Sequence, residues 1–152
     1  MKLAPLTPTI GAEVTGIDLS QSLRQEDVAG LESALSSWKV LFFRNQRLST
    51  DGLRQLGQSF RTLSIHPFTP IWHKNADVVT IVEDEHRHAE NNIWHSDLSF
   101  MPDAPRIGLL RAVEIPADVI RVPLQAVDVE VVGERSAGLE RCVHAVATKV
   151  AG

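Results

Sequence analysis

Val40-Leu41-Phe42-Phe43 is an unbroken apolar run of β-formers, closed at once by Arg44-Asn45-Gln46. A run this short, bounded by polar residues, reads as a buried strand. The patterning on either side is different. Upstream, Val28, Leu31, Leu35 and Trp38 recur at helical spacing, and Ser22 with Gln25 three residues on forms a capping box for that helix. Downstream, Ser49 or Thr50 can cap a second helix. Asp51 suits its first turn, Leu53, Leu56 and Phe60 mark its inner face, and it ends near Arg61. A buried strand between two amphipathic helices, with further strands to follow, predicts an α+β domain.

The remaining segments fill in that class. Residues 1 to 20 carry Pro5, Pro8, Gly11 and Gly16 around the alternating stretches Ala12-Glu13-Val14 and Ile17-Asp18-Leu19, which predicts two short strands joined by a turn. After Ile65-His66-Pro67-Phe68-Thr69-Pro70 comes a β-like run, Val78 to Val82, and then a polar loop from Glu83 to Asn92. Ile93 to Phe100 alternates apolar with polar, and Ile107 to Val113 is another strand candidate. From Pro116 onward the pattern loosens, apart from an apolar helical face around Cys142-Val143-His144-Ala145-Val146 in a helix beginning near Glu134.

Composition removes several function classes. The balance of 43% hydrophobic and 22% charged residues is that of a globular chain, not a disordered or collagenous one. A single domain of 152 residues needs neither disulfides nor a structural metal to build its core. The lone Cys142 cannot form an internal bridge, and no apolar h-region follows Lys2, so a cytoplasmic location is expected. The longest aliphatic and aromatic run is too short to span a bilayer, which predicts no membrane partner. A formal charge of −4, with scattered Lys and Arg, gives no footprint for nucleic acid.

The chemistry concentrates in Trp94-His95-Ser96-Asp97. On a strand, side chains at i and i+2 share a face, so His95 and Asp97 can reach one metal ion from one element. An imidazole with a carboxylate is two thirds of the 2-His-1-carboxylate triad that leaves open positions on Fe(II). Taken alone the spacing is weak, because two residues at fixed separation recur by chance and a polar outer strand face explains them equally.

The neighbouring motifs add weight. Ile10-Gly11-Ala12-Glu13-Val14-Thr15-Gly16-Ile17-Asp18-Leu19, Val40 to Gln46, Ile65-His66-Pro67 and Asn91-Asn92-Ile93-Trp94-His95-Ser96-Asp97-Leu98-Ser99-Phe100 occur in an order that resembles the TauD/TfdA family of Fe(II)/2-oxoglutarate-dependent dioxygenases, over about residues 5 to 116. The resemblance implies the N-terminal part of a double-stranded β-helix, or jelly roll, with flanking helices. It implies Fe(II) as cofactor, 2-oxoglutarate as co-substrate, and His95 and Asp97 as the first two iron ligands. It places His66, Asn91, Leu98 and Phe100 at the substrate, with Trp94 beside Phe100 as a wall of a dry pocket. The implied reaction hydroxylates a small anionic substrate with O2, releasing succinate and CO2. Taurine or another sulfonate is the type, although Thr69 stands where taurine-oxidising members carry an aromatic residue.

Two parts of the family pattern have no counterpart. The second iron-binding histidine and the 2-oxoglutarate arginine lie far downstream in the family, and the only histidine after Asp97 is His144, which reads as a helix-face residue. The resembled fold is also longer than this chain, which predicts a single partial domain over residues 1 to 152 with unpaired strand edges and a tendency to associate with further copies. After Glu114-Ile115-Pro116 the family continues into Gly-Gly-Asp-Thr, whereas this chain reads Ala117-Asp118-Val119-Ile120-Arg121. The bases GGT GAT ACG encode Gly-Asp-Thr and, read one base later, give GTG ATA CGN, which is Val-Ile-Arg. A shift of frame near Asp118 would account for the divergence of 117 to 152, and a faint likeness to the family's following helix from about Glu134 would then mark a restored frame.

Other groups offer less. His86-x-His88 could form a second metal pair, but its charged loop reads equally as a solvated face, as do His73 and Lys74. Glu83, Asp84, Glu85 and Glu90 have no nucleophile to serve as an acid-base set. Trp38, Trp72 and Trp94 read as core or pocket wall. The alternative to a dioxygenase is an inactive truncated remnant of the family with at most weak metal binding.

Overall fold

The structure is a computed structural model that describes residues 1–65, 77–82, 100–114, 125–132 and 143–147. Among the described residues, seven strands and two helices follow in the order β1 (Lys2–Pro5), β2 (Ala12–Thr15), α1 (Gln25–Trp38), β3 (Val40–Phe43), α2 (Thr50–Phe60), β4 (Val79–Val82), β5 (Pro105–Glu114), β6 (Gln125–Val132) and β7 (Val143–Ala147). The strands form one mixed sheet in the order β1-β2-β3-β7-β5-β6-β4. The α+β class is as expected.

The buried strand predicted at residues 40–43 is β3, and its position explains its composition. It pairs in parallel with β2 on one side and β7 on the other, with Ala12 opposite Leu41 and Val14 opposite Phe43. A parallel pair needs a long crossover, and α1 supplies it between β2 and β3. Leu31, Ala34 and Leu35 of α1, Leu53, Leu56 and Phe60 of α2, and Ala12, Val14, Leu41, Phe43 and Leu109 of the sheet all join one buried cluster. Both helices therefore cover the same face of the sheet. Among the described residues Leu31, Leu41 and Leu53 are the largest fully buried side chains, each worth about 1.5–3 kcal/mol of transfer free energy.

Turn chemistry sets the entry and exit of β3. Lys39, at φ 67°, ends α1 with its N–H donating to the Leu35 carbonyl at 2.8 Å, and the chain reverses directly into the strand. Asn45, at φ 57°, occupies the left-handed region that asparagine tolerates best among residues with a side chain. Beyond it, Gln46 bonds back to the segment before α1. α2 is capped as predicted, with Ser49 Oγ accepting the Gly52 N–H at 3.0 Å.

Several local expectations are corrected. The partner of β2 is Lys2–Pro5, with Leu3 opposite Val14, and not Ile17-Asp18-Leu19. Leu19 is instead drawn into the core, 4% exposed, which a strand pairing outward would not allow. β1 is the sheet edge, where the missing N–H of Pro5 costs no ladder bond. The Ser22/Gln25 capping box does not form: the helix begins at Gln25 behind Arg24, with no side-chain cap bond, and Arg24 instead pairs with Asp27 at 2.8 Å. The predicted C-terminal helical face is overturned in its described part, since residues 143–147 are strand β7, inserted between β3 and β5. Strand β6 was not anticipated.

Candidate functional site

The segments that carry the candidate chemistry attach to the two ends of β4. α2 leads through Ser64, buried, and Ile65, exposed, toward His66, and the described chain resumes at Asp77. β4 then runs to Val82, and the description resumes at Phe100. His66, Asn91, His95, Asp97 and Leu98 lie outside the described residues, as do Trp94, His73, His86 and His88. Phe100 is described. It sits in a turn before β5 and is 68% exposed, so its ring is presented at the surface and not spent on the core.

The structure does define how that region is anchored. Arg54 of α2 donates from Nε to Asp77 Oδ2 at 2.6 Å and from a terminal nitrogen to Oδ1 at 3.3 Å, while its other terminal nitrogen reaches Asp51. The Arg54 and Asp77 side chains are only 21% and 28% exposed. The hydrogen bond from Arg54 holds the Asp77 carboxyl below its ordinary value, against a burial effect that raises it; the carboxylate's own backbone N–H and the arginine charge assist. Next to Asp77, Val78 is buried in the core cluster. On β5, Arg111 donates to the Leu48 carbonyl, so that strand is tied to the segment leading into α2.

Sequence reasoning missed both arginines. The i, i+3 spacing of Asp51 and Arg54 was a readable signal for one ion pair. Nothing local connects Arg54 to Asp77, or Arg111 to Leu48, since both pairs are formed by the fold. The cavity bounded by Leu19, Leu31, Leu41, Leu53, Phe60 and Leu109 has an apolar lining and lies between helices and sheet. It is a packing gap without a group that could do chemistry. His144, predicted on a helix, belongs to β7, in register with Val40 and Gly108.

Among the described residues no group of three or more His, Cys, Asp or Glu could hold a metal. The donors singled out in the sequence fit Fe(II) in kind, because imidazole nitrogen and carboxylate oxygen are the ligands that a non-haem ferrous site uses. They are two of the three such a site needs.

Comparison with known proteins defines the class. The family model described as taurine catabolism dioxygenase TauD, TfdA family matches residues 2–119, which include every one of those donor and contact residues. The chain belongs to the TauD/TfdA family. It is similar to an alkylsulfatase of Acinetobacter baylyi, 34% identical over 117 residues that make up 76% of this chain and 36% of that protein. It is also similar to an alpha-ketoglutarate-dependent sulfate ester dioxygenase of Pseudomonas putida, 32% identical over 74% of this chain and 37% of that protein. Among solved structures, a taurine dioxygenase from Burkholderia xenovorans superposes with a TM-score of 0.64 at 29% identity, covering 77% of this chain and 42% of its own. The chain thus spans about two fifths of the length of the relatives it matches. Among the described residues no helix is long and apolar enough to cross a membrane.

Proposed function

We propose that this chain carries the metal-binding half of an Fe(II)/2-oxoglutarate-dependent dioxygenase that hydroxylates a small anionic substrate, a sulfate ester or sulfonate such as taurine. The observation that carries the reading is the order Ile65-His66-Pro67, then Asn91, then His95-x-Asp97, inside a family match that runs from residue 2 to 119. The names of two similar proteins, an alkylsulfatase and a sulfate ester dioxygenase, support the substrate class.

His95 and Asp97 would hold the metal. Bound Fe(II), with 2-oxoglutarate and O2, supplies the oxidising power for C–H hydroxylation, yielding succinate and CO2. The protein's residues do the rest. His66 and Asn91 would donate hydrogen bonds to the anionic head group, and Leu98 and Phe100 would give the carbon chain an apolar surface that excludes water. A jelly roll is the architecture this reading carries, with the mixed sheet as one of its layers, in a cytoplasmic protein whose copies associate through open strand edges.

A second reading is a remnant without catalysis. Two donors alone hold iron weakly, so this reading expects little or no metal binding by these residues. Anaerobic addition of Fe(II) and 2-oxoglutarate to the folded chain separates the two. A visible charge-transfer band that disappears in His95→Ala and in Asp97→Ala supports the dioxygenase site. A band unchanged by either substitution refutes the ligand assignment, and no band from the folded wild-type chain leaves the remnant.

A further inference from the structure

In the described sheet β7 lies between β3 and β5 and runs parallel to both. Central parallel strands are typically runs of Val, Ile and Leu, and β3, Val40-Leu41-Phe42-Phe43, is such a run. β7 is not. Val143-His144-Ala145-Val146-Ala147 carries two alanines, which strands disfavour, and a histidine. Its own pattern is helical, so its place in the sheet is imposed by the strands on either side of it.

The register shows where the misfit falls. Ala145 stands between Leu41 and Leu109, which are buried, and Ala147 stands between Phe43 and Arg111. Residues in register across a sheet share a face, so positions 145 and 147 belong to the face that the helices cover. The apolar cavity between helices and sheet is lined by Leu41 and Phe43 of β3, by Leu109 of β5, and by Leu31, Leu53 and Phe60 of the helices. It therefore lies at the level of the two alanines, where branched residues would take up the space.

The flanking strands are held by contacts of their own. Leu41 and Phe43 of β3 and Leu109 of β5 join the same buried cluster as Leu31 of α1 and Leu53 and Phe60 of α2. Arg111 of β5 also donates to the Leu48 carbonyl. Two walls, about 10 Å or two strand spacings apart, thus present ladder donors and acceptors to the strand between them. Main-chain bonds give such a slot its affinity, and the alternate side chains give it selectivity. β3 and β5 lie inside the family match, which runs to residue 119, and β7 lies beyond it.

We infer that the space between β3 and β5 is an acceptor site for an extended peptide segment that runs parallel to both strands and carries branched apolar residues where this chain has Ala145 and Ala147. β7 is its loosely fitting, replaceable occupant. The inference holds whether or not the chain binds metal.

The test uses the 152-residue chain, isotopically labelled, and two unlabelled peptides: residues 141–149, and the same peptide with Ala145→Val and Ala147→Val. The hosts are wild type and Ala145→Pro, in which proline removes a ladder donor from β7. Fluorescence anisotropy measures binding, and amide exchange of the chain locates it. Both peptides should bind Ala145→Pro at least tenfold more tightly than wild type, where the tethered β7 competes. The divaline peptide should bind about tenfold more tightly than the native one, with protection gained at β3 and β5. Equal binding of the two peptides overturns the inference, as does protection gained at β1 instead, or no binding to a folded Ala145→Pro chain. If Ala145→Pro does not fold, wild type with excess divaline peptide decides: protection of β3 and β5 with faster exchange at β7 supports replacement, and unchanged exchange overturns it. A chain that runs as a dimer and becomes monomeric with the divaline peptide supports the acceptor site with β7 of a second copy as its occupant.

Discussion

Gln46 Oε1 accepts the backbone N–H of Leu19 at 2.8 Å, joining two turns 27 residues apart. The same amide donates to the Arg44 carbonyl at 3.1 Å and to the Ile17 carbonyl at 3.4 Å. One side chain thus substitutes for a strand pairing in the segment that leads from β2 to α1. Replacing Gln46 with Leu should cost about 1–3 kcal/mol, the penalty for stranding a part-buried donor. Gln46→Glu keeps the acceptor and should cost less. Urea denaturation of the two variants gives the order, and a leucine variant as stable as wild type would show that water replaces the amide at no cost.

The core should respond by volume. Leu31→Ala and Leu53→Ala each empty a fully buried site between a helix and the sheet, and each should lose about 2–5 kcal/mol. Leu6→Ala, at a half-exposed position in the hairpin turn, should change stability by no more than about 0.5 kcal/mol. Thermal or chemical denaturation distinguishes them. A comparable loss at Leu6 would mean that the hairpin is covered in solution.

Acid should reveal the Arg54–Asp77 contact. Asp77 titrates below its ordinary value in the folded chain, so between the folded and unfolded values the unfolded chain binds more protons and stability rises with pH. The contribution is complete above about pH 4 and is lost as pH falls through the depressed value. Asp18, held by Ser20, and Asp27, held by Arg24, act in the same direction, so the difference between wild type and Asp77→Asn isolates the one group. That difference should be constant near neutrality and narrow on acidification. A gap that stays the same to the acid limit would contradict the shift.

Ser49→Ala should destabilise α2 by about 1 kcal/mol, since the Oγ that accepts the Gly52 N–H has no substitute in alanine. Ser22→Ala should be neutral, because the helix starts behind Arg24 without a side-chain cap. Circular dichroism melts of the two variants should separate clearly.

The codons of Val119-Ile120-Arg121 should read GTG-ATA-CGN if a base was gained or lost near Asp118. The family match runs to residue 119. Any other codons there would remove the frame-shift account of residues 117 to 152.

The legible parts of the fold are those where the local physical signals do not compete. β3 was readable because four β-formers in a row, closed by a polar turn, have no helical face to offer. α2 was readable from Ser49, Asp51 and the Leu53, Leu56, Phe60 stripe, which all agree. The hairpin departs from the expectation because Ile17-Asp18-Leu19 alternates and Lys2-Leu3-Ala4-Pro5 does not, while Gln46, far along the chain, holds Leu19 away from β2. β6 carries a strand signal of its own, since Val127-Asp128-Val129-Glu130-Val131 alternates strictly, but it lies where the chain departs from the family pattern. The helix expected around His144 follows a real apolar stripe, which pairing with β3 and β5 overrides. Of the candidate site, sequence motifs pointed to the ligands, whereas Arg54 and Asp77 needed coordinates.

The strand order carries a kinetic consequence. β7 lies between β3 and β5, so the described strand latest in sequence joins two that are made much earlier. Sheet formation therefore cannot propagate outward from the N-terminal hairpin as translation proceeds. The β1-β2-α1-β3 unit must wait, with the β3 edge open, until residues 143–147 have been synthesised. Loop closure over that distance raises the folding barrier, and the refolding rate should be that of a slow, non-local topology. In a cell, the interval between synthesis of Phe43 and of Ala147 is the period in which a chaperone has most to gain by holding this chain.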